Sequence, residues 1–285
     1  VGWLLNPEEL RHWRPQEIEY LEKATAAIRS IDPQKRPITM YEPGHRDAEA
    51  LAKTGFFLDI TSKGMYVNHT KQKDSRIWVK YSTEQGVEAR KLLKKPDMLV
   101  LAIPEMFKDP ALEEISLVPN WARHDVYLSL ISGARGVIVF SLAKRPNFTT
   151  HDAYFNSYAQ VAKELNGELG LARVLMFGKA MNDLKYEIVS GPHELKLKYQ
   201  YSEKVPAVEK TYSSLNTYEV LYTTGRYYFM VNSAKETLEV TVTGFPTDAK
   251  IVNLLDNQTI AKDAEGKMIK LQFNHLEVKI LKFNN

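Results

Sequence analysis

Six apolar residues in a row, Met98 to Ile103, run into Pro104 and Glu105. An unbroken run of that kind suits a strand covered on both faces, the condition of a strand inside a parallel sheet. Strand-like segments of similar length occur at Val1 to Leu5, Arg36 to Tyr41, Phe56 to Ile60 and Val137 to Ser141. Between them lie stretches with helical spacing: Arg14 to Ser30, Asp47 to Lys53, Trp78 to Leu93, Asn120 to Ser132 and, last, Asp152 to Leu165. In the first of these, Ile18, Leu21, Thr25 and Ile28 fall on one helix face, with Pro15 and Glu17 in the first turn, where both are favoured. Strands alternating with helices predict βαβ units, right-handed crossovers and a parallel sheet.

Near Gly167 to Gly170 the pattern changes to period two. Leu195, Leu197, Tyr199 and Tyr201 alternate, as do Tyr218, Val220 and Tyr222, then Tyr227, Phe229 and Val231, then Leu238, Val240 and Val242. Short strands at this spacing, separated by turns such as Thr224-Gly225, predict an antiparallel β-sandwich. The expected division is residues 1–168 for the α/β part and 169–285 for the sandwich.

An open doubly wound sheet and a closed barrel both fit the first half. No Gly-rich turn follows any strand, so no phosphate-bearing cofactor is expected. The residues after the strands are instead Glu, Tyr, His, Asp, Arg and Trp, which favours a carbohydrate-type barrel mouth, and barrel enzymes carry their chemistry at the C-terminal strand ends. Net charge is only +3, with Lys and Arg scattered, so neither nucleic acid nor an anionic membrane is expected as a partner. The chain has no cysteine, which excludes disulfides, thiolate metal sites and a Cys nucleophile. That composition favours a periplasmic or secreted protein, although many cytosolic proteins share it, and no signal segment stands in this sequence. No apolar run approaches the ~20 residues that span a bilayer. His12, His45, His69, His124 and His151 lack zinc-motif spacing, so no metal is expected. His124 and Asp125, adjacent on a helix, are expected not to face one site together. The sequence carries no signal of oligomeric state.

The order of parts resembles the C-terminal half of a glycoside hydrolase (β/α)8 barrel, a TIM-barrel-type fold, followed by the all-β antiparallel sandwich that many such enzymes carry. Gly2-Trp3-Leu4-Leu5-Asn6-Pro7-Glu8-Glu9 resembles the fourth-strand segment, and Ile28 to Pro33 with Arg36-Pro37-Ile38 resembles the entry to the fifth strand. Tyr127 to Val137, with its Gly133-Ala134-Arg135-Gly136, is similar to the passage into the eighth strand, and Tyr227 to Asn232 to a strand of the appended sandwich. On this resemblance the five strands are the fourth to the eighth, and the implied activity is hydrolysis of O-glycosidic bonds in an oligo- or polysaccharide by two carboxyl groups. A non-catalytic carbohydrate-binding protein built on a barrel remnant is the alternative.

The resemblance places the acid after the fourth strand, at Glu8 or Glu9, and the nucleophile after the seventh, at Glu105. Pro7 stands between Asn6 and Glu8, where the familiar motif has Asn directly before Glu, and some related barrels hold a non-catalytic amide at the position of Glu105. Helix-first-turn acids and a rim ion pair are the structural readings of these three residues. Candidate sugar-binding residues are Tyr41, Glu42, His45 and Arg46 after the fifth strand and Asp59, Lys63 and Tyr66 after the sixth. Trp121, at a helical spacing from Leu128 that more often marks core, and Lys144, beside Arg145 after the eighth strand where a solvated loop is the commoner role, complete the set. Glu42 could itself be a catalytic carboxylate.

Overall fold

The computed structural model describes residues 2–6, 10–70, 75–201 and 207–284. Five strands, β1 (Trp3–Leu5), β2 (Ile38–Glu42), β3 (Ile60–Met65), β4 (Leu99–Pro104) and β5 (Gly136–Val137), pair in parallel and in sequence order. Helices α1 (Pro15–Ile31), α2 (Ala48–Gly55), α3 (Trp78–Leu92) and α4 (Val118–Ile131) connect them, and α5 (His151–Asn166) and α6 (Leu171–Phe177) follow. Each crossover advances one strand in the same direction. A doubly wound sheet must reverse its strand order at a switch point, so this succession is that of a barrel wall. It also brings every C-terminal strand end to one rim.

One face of the sheet carries the helices. Leu21 of α1 clusters with Ile38 and Met40 of β2, and the Met65 sulfur of β3 receives hydroxyls from Thr83 of α3 and Ser129 of α4 at 3.7 and 3.4 Å. Strand alternation puts Leu4, Thr39, Ser62, Leu99 and Ile138 on the opposite face. There Thr39 and Ser62 share a hydroxyl hydrogen bond of 2.8 Å, while Leu4, Leu99 and Ile138 remain exposed. At the foot of the sheet, Asp32 ends α1 and accepts bonds from the Trp3 indole (2.8 Å) and the Arg36 backbone (3.0 Å), holding β1 beside β2.

Two expected strands differ from those observed. The segment Phe56 to Ile60 is not a strand: Phe56 and Phe57 follow the end of α2, edge to face, and Phe56 is exposed. The strand runs instead from Ile60 to Met65, and its buried Lys63 and Gly64 disguise it as a turn. Lys63 tolerates burial because its ammonium donates to the Arg46 carbonyl at 2.6 Å and lies 5.8 Å from the Tyr81 ring centre. The fifth strand, expected over Val137 to Ser141, pairs regularly only at Gly136–Val137, with Phe140 rejoining through a single bridge to Glu105.

The antiparallel part comprises β6 (Lys179–Met181), β7 (Lys185–Ser190), β8 (Glu194–Tyr199), β9 (Val208–Ser213), β10 (Leu215–Tyr222), β11 (Gly225–Asn232), β12 (Leu238–Thr243), β13 (Lys250–Asn253), β14 (Gln258–Thr259), β15 (Met268–Phe273) and β16 (Val278–Asn284). Six of these form the sheet β14-β13-β16-β11-β10-β6 and three the sheet β15-β12-β7. The two sheets enclose one core, with Tyr228, Met230 and Leu281 from the first meeting Val240, Leu271 and Phe273 from the second. The remaining two strands, β8 and β9, pair only with each other.

Strand β11 is apolar on both faces for a reason. Tyr228 and Met230 enter the sandwich core, while Tyr227, Phe229 and Val231 point the other way into the cluster that includes Val126 and Tyr127 of α4. A buried polar seam crosses the same junction. Arg76 grips Asp125 through two bonds of 3.0 and 2.5 Å, and His124 bonds Asp125 through Nδ1 (2.9 Å) and Ser233 through Nε2 (3.0 Å). Ser233 also accepts from Asn216, whose carbonyl oxygen takes a bond from Lys80 at 2.8 Å. The expectation that His124 and Asp125 cannot face one site is thereby corrected: the carboxylate bends back along the helix to its neighbour's ring. Burial opposes the charge on Asp125, yet Arg76 and His124 hold its pKa below the ordinary value; burial, helped by the Arg76 and His275 charges, keeps the His124 pKa low against the pull of Asp125. Replacing Arg76 by Leu should cost about 3–5 kcal/mol in urea unfolding, because it strands a buried carboxylate. The double variant R76L/D125L should recover most of that loss; an additive double loss would show that the pair is not the source.

Candidate functional site

At the rim of C-terminal strand ends lies a cleft of about 590 Å³. Its floor is aromatic. Tyr41 at the end of β2 stacks on Tyr66, just past β3, with ring centres 5.9 Å apart and planes at 16°. Tyr66 meets Phe107, which follows β4, edge-on at 5.0 Å, and Phe140 at 6.0 Å. Tyr41 can lie across β3 only because Gly64 is there: a Cβ at that position would stand 2.5 Å from the Tyr41 hydroxyl oxygen. Gly44 has the same function one loop away, where a Cβ would stand 2.6 Å from the Gly64 carbonyl oxygen.

Glu105 follows β4 at this rim, behind the lining residue His69 and not itself among the residues that line the cleft. It is only 6% exposed. One carboxyl oxygen, Oε2, accepts the backbone N–H groups of Asn68 (2.9 Å) and His69 (3.2 Å), while Oε1 is buried and has no hydrogen-bond partner among the described residues. Burial raises its pKa to about 7, against the downward pull of the His69 and Asn68 amides and the Arg76 charge. A carboxyl group with that pKa is about half ionised near pH 7 and becomes the carboxylate above it. Glu8 and Glu9, the expected partners, lie outside the described residues.

The other expected residues divide. Tyr41, His45 and Tyr66 line the cleft. Glu42 and Arg46 do not: they form a buried ion pair beneath it, in which Glu42 also accepts the Thr54 hydroxyl at 2.6 Å and Arg46 donates to the Leu10 carbonyl. Burial pushes the Glu42 carboxyl up while Arg46 and Thr54 oppose it, and the pair secures the turn between β2 and α2. Asp59 precedes β3 rather than following it, a consequence of the shifted strand, and so sits at the opposite edge of the sheet. There it takes the Ile38 amide (2.9 Å) and Arg29 (3.1 Å). Trp121 is buried against the Arg76 guanidinium, 4.6 Å from its ring centre, away from the cleft. Lys144 is exposed and paired with Asp152 at 3.0 Å, outside the cleft lining. Arg145 rests on the Phe107 ring at 5.6 Å.

Three lining residues come from the antiparallel part: Tyr199, Gln200 and Tyr201, at the end of β8. Tyr201 stacks on His45 with ring centres 3.7 Å apart and planes at 12°. Burial, with Arg46 and Lys63 nearby, lowers the His45 pKa to about 4, so the ring is neutral at ordinary pH. In the sequence the two tyrosines belong to an alternating strand pattern, and nothing there marks where that strand docks. Among the described residues, no group of three or more His, Cys, Asp or Glu side chains could hold a metal, and no helix is long and apolar enough to cross a membrane.

Compared with known proteins, the chain matches no family model and no curated sequence. Solved structures do match. The alpha-amylase of Geobacillus thermoleovorans, complexed with acarbose, superposes with a TM-score of 0.55 at 10% identity over 94% of this chain and 57% of the amylase. The alpha-amylase of H. orenii gives 0.52 at 12% identity, over 99% of this chain and 61% of its own. The alpha-L-arabinofuranosidase of Thermotoga petrophila gives 0.51 at 11% identity, over 99% and 66%. The chain thus spans about 57–66% of the length of these enzymes. It has the fold of the barrel wall and β-domain of alpha-amylase-type glycoside hydrolases, and identities this low define the fold alone.

The raised pKa of Glu105 has a consequence for stability. Its folded-state pKa lies above the unfolded value, so the protonated side chain costs nothing extra below the ordinary carboxyl range, and stability falls as pH rises through that range toward 7. Glu105→Gln, a neutral replacement of the same shape, should therefore raise the unfolding free energy at pH 8 by roughly 1–3 kcal/mol and leave it nearly unchanged at pH 4. Urea unfolding at the two pH values checks this; an equal change at both would rule out the buried charge as the cause.

Proposed function

We propose that the chain belongs to a glycoside hydrolase that cleaves O-glycosidic bonds of an oligo- or polysaccharide with two carboxyl groups at the barrel mouth. Residues 1–168 are the catalytic-type portion and 169–285 the accessory β-domain. The observation that carries this reading is Glu105: a buried carboxyl that titrates near neutrality at a C-terminal strand end, beside an aromatic cleft wide enough for sugar units. The second carboxyl is Glu8 or Glu9, from the segment after β1.

In this reading Glu8 or Glu9 protonates the leaving oxygen while Glu105, as the carboxylate, attacks the anomeric carbon, one of its oxygens being held by two amides. A glycosyl ester forms and the aglycone leaves with the proton; water, giving its proton back to Glu8 or Glu9, then attacks the anomeric carbon, breaks the ester and frees the Glu105 carboxylate. Tyr41, His45 and Tyr66 hold the ring above the rim. Because the fold neighbours include alpha-amylases, one of them holding acarbose, α-glucosides head the substrate panel, with arabinofuranosides next.

The test is a screen of the whole polypeptide against nitrophenyl glycosides and polysaccharides, with release and retention measured separately. Wild-type protein should release sugar, and Glu105→Gln should lower turnover at least roughly a hundredfold while retaining glycan. Unchanged turnover in Glu105→Gln removes Glu105 from the mechanism. Retention without release by the wild type would favour a carbohydrate-binding protein, to which the aromatic cleft is also suited.

A further inference from the structure

The ribbon of β8 and β9 belongs to neither sandwich sheet. Its position is nevertheless set by burial and by side-chain contacts to α3. Leu197 is fully inside the main core, the Tyr199 ring lies 4.4 Å from that of Trp78, and the Tyr212 hydroxyl donates to Glu84 at 3.0 Å. Those contacts anchor the ribbon at the rim end of α3, and Tyr199, Gln200 and Tyr201 at the end of β8 line the cleft together with Tyr41 and Tyr66.

Two properties of the cleft define what it would take. The first is the ring of Tyr201, which remains 57% exposed although one of its faces is stacked on His45. The open face is an apolar platform in a hydroxyl-bearing cleft, the environment that suits the C–H face of a sugar ring. The second is charge. The lining residues are Tyr, Pro, Gly, His, Thr, Phe and Gln, and among the described residues none is Asp, Glu, Lys or Arg. His45 is neutral there, which leaves its stacked pair with Tyr201 uncharged.

We infer that the ribbon is part of the binding site and that Tyr201, braced by His45, forms a platform for an uncharged sugar unit. The inference rests on the proposed glycoside hydrolase reading and adds to it a subsite supplied by the accessory domain. Such a subsite governs which glycan the cleft accepts and takes no part in bond cleavage. It also accounts for a ribbon held apart from both sheets: strands buried within a sandwich could not present a bare aromatic face at the barrel rim.

The test uses the full chain, with Tyr201→Ala, Tyr201→Phe and Glu105→Gln, each checked for native circular dichroism. Binding is measured calorimetrically with maltotriose, xylotriose, arabinotriose and a glucuronate-bearing trisaccharide. For the best neutral ligand, Tyr201→Ala should weaken binding at least about tenfold, Tyr201→Phe should retain it, and the glucuronate should bind at least about tenfold more weakly than its neutral counterpart. On a cleaved substrate, Tyr201→Ala should raise KM with little change in kcat, the reverse of Glu105→Gln. If neutral glycans bind Tyr201→Ala as they bind the wild type, the ribbon is not in the site, and the hydrolase reading stands without it. Tighter binding of the glucuronate would overturn the uncharged-ligand assignment. If the wild type binds no saccharide, both readings fall.

Discussion

Helix α4 is buried on two sides, and the arrangement of the whole molecule follows from that. Its inner side meets the parallel sheet, where Ser129 reaches Met65 of β3. Its outer side, which a barrel helix ordinarily gives to water, meets β11 through Tyr127 and Phe229, with ring centres 6.4 Å apart. A helix so placed cannot be amphipathic in the usual sense, and its buried residues Trp121, Ala122, His124, Asp125, Val126, Tyr127, Leu128 and Ser129 surround it. The junction is therefore a continuous core rather than a contact between two finished surfaces. One cluster contains Met65 and Ala102 of the sheet together with Phe229 and Ile280 of the sandwich. Continuity of this kind fixes where the ribbon of β8 and β9 lies, because the ribbon and α3 share that cluster through Leu197 and Trp78.

The polar seam inside the junction gives direction to a contact that apolar packing alone would leave slippery. A bidentate guanidinium–carboxylate pair has one good geometry, and each group in the chain from Lys80 through Asn216, Ser233, His124 and Asp125 to Arg76 constrains the next. The gain in stability is modest, since desolvating both charges offsets most of their attraction. The gain in registry is larger: sliding the sandwich along α4 would break His124–Ser233 and leave buried donors unpaired.

The parallel sheet was legible because β4 is a long apolar run and because strand and helix patterns alternate at regular intervals. Its third strand was misplaced for a local reason. Phe56 and Phe57 have strand composition yet follow a helix end, whereas Lys63 and Gly64 have turn composition yet occupy a strand. Strand composition reports what usually packs on a pleated surface, and Lys63 is an exception made possible by the Arg46 carbonyl and the Tyr81 ring. Asp59 was carried to the wrong edge of the sheet by the same shift. At the rim, Tyr41 lies near the end of β2, His45 in the turn after it and Tyr66 directly after β3, so their nearness to strand ends was legible. Tyr201 was not, since its position depends on how a distant β-ribbon packs against α3, a contact that neither periodicity nor spacing encodes. His124 and Asp125 were misjudged because helix geometry constrains where Cβ atoms point, while a short carboxylate can still turn back to the adjacent ring.

These placements bear on how a single carboxyl could be tuned. Glu105 lies where the sheet, the loop after β3 and the polar seam converge, and each acts on it differently. The walls of Tyr154 and Tyr158 exclude water, with the Tyr158 hydroxyl taken up by the Glu105 carbonyl at 3.2 Å. The Asn68 and His69 amides favour the anion, while Asp125 disfavours it and Arg76 favours it. Arg76 and Asp125, bound to each other, act on Glu105 in opposite senses, and burial is the largest influence. Neutralising Asp125 alone would unbalance that pair and draw the Glu105 proton off at lower pH, although the two residues share no hydrogen bond. The seam at the junction is thus electrostatically coupled to Glu105 through Arg76 and Asp125.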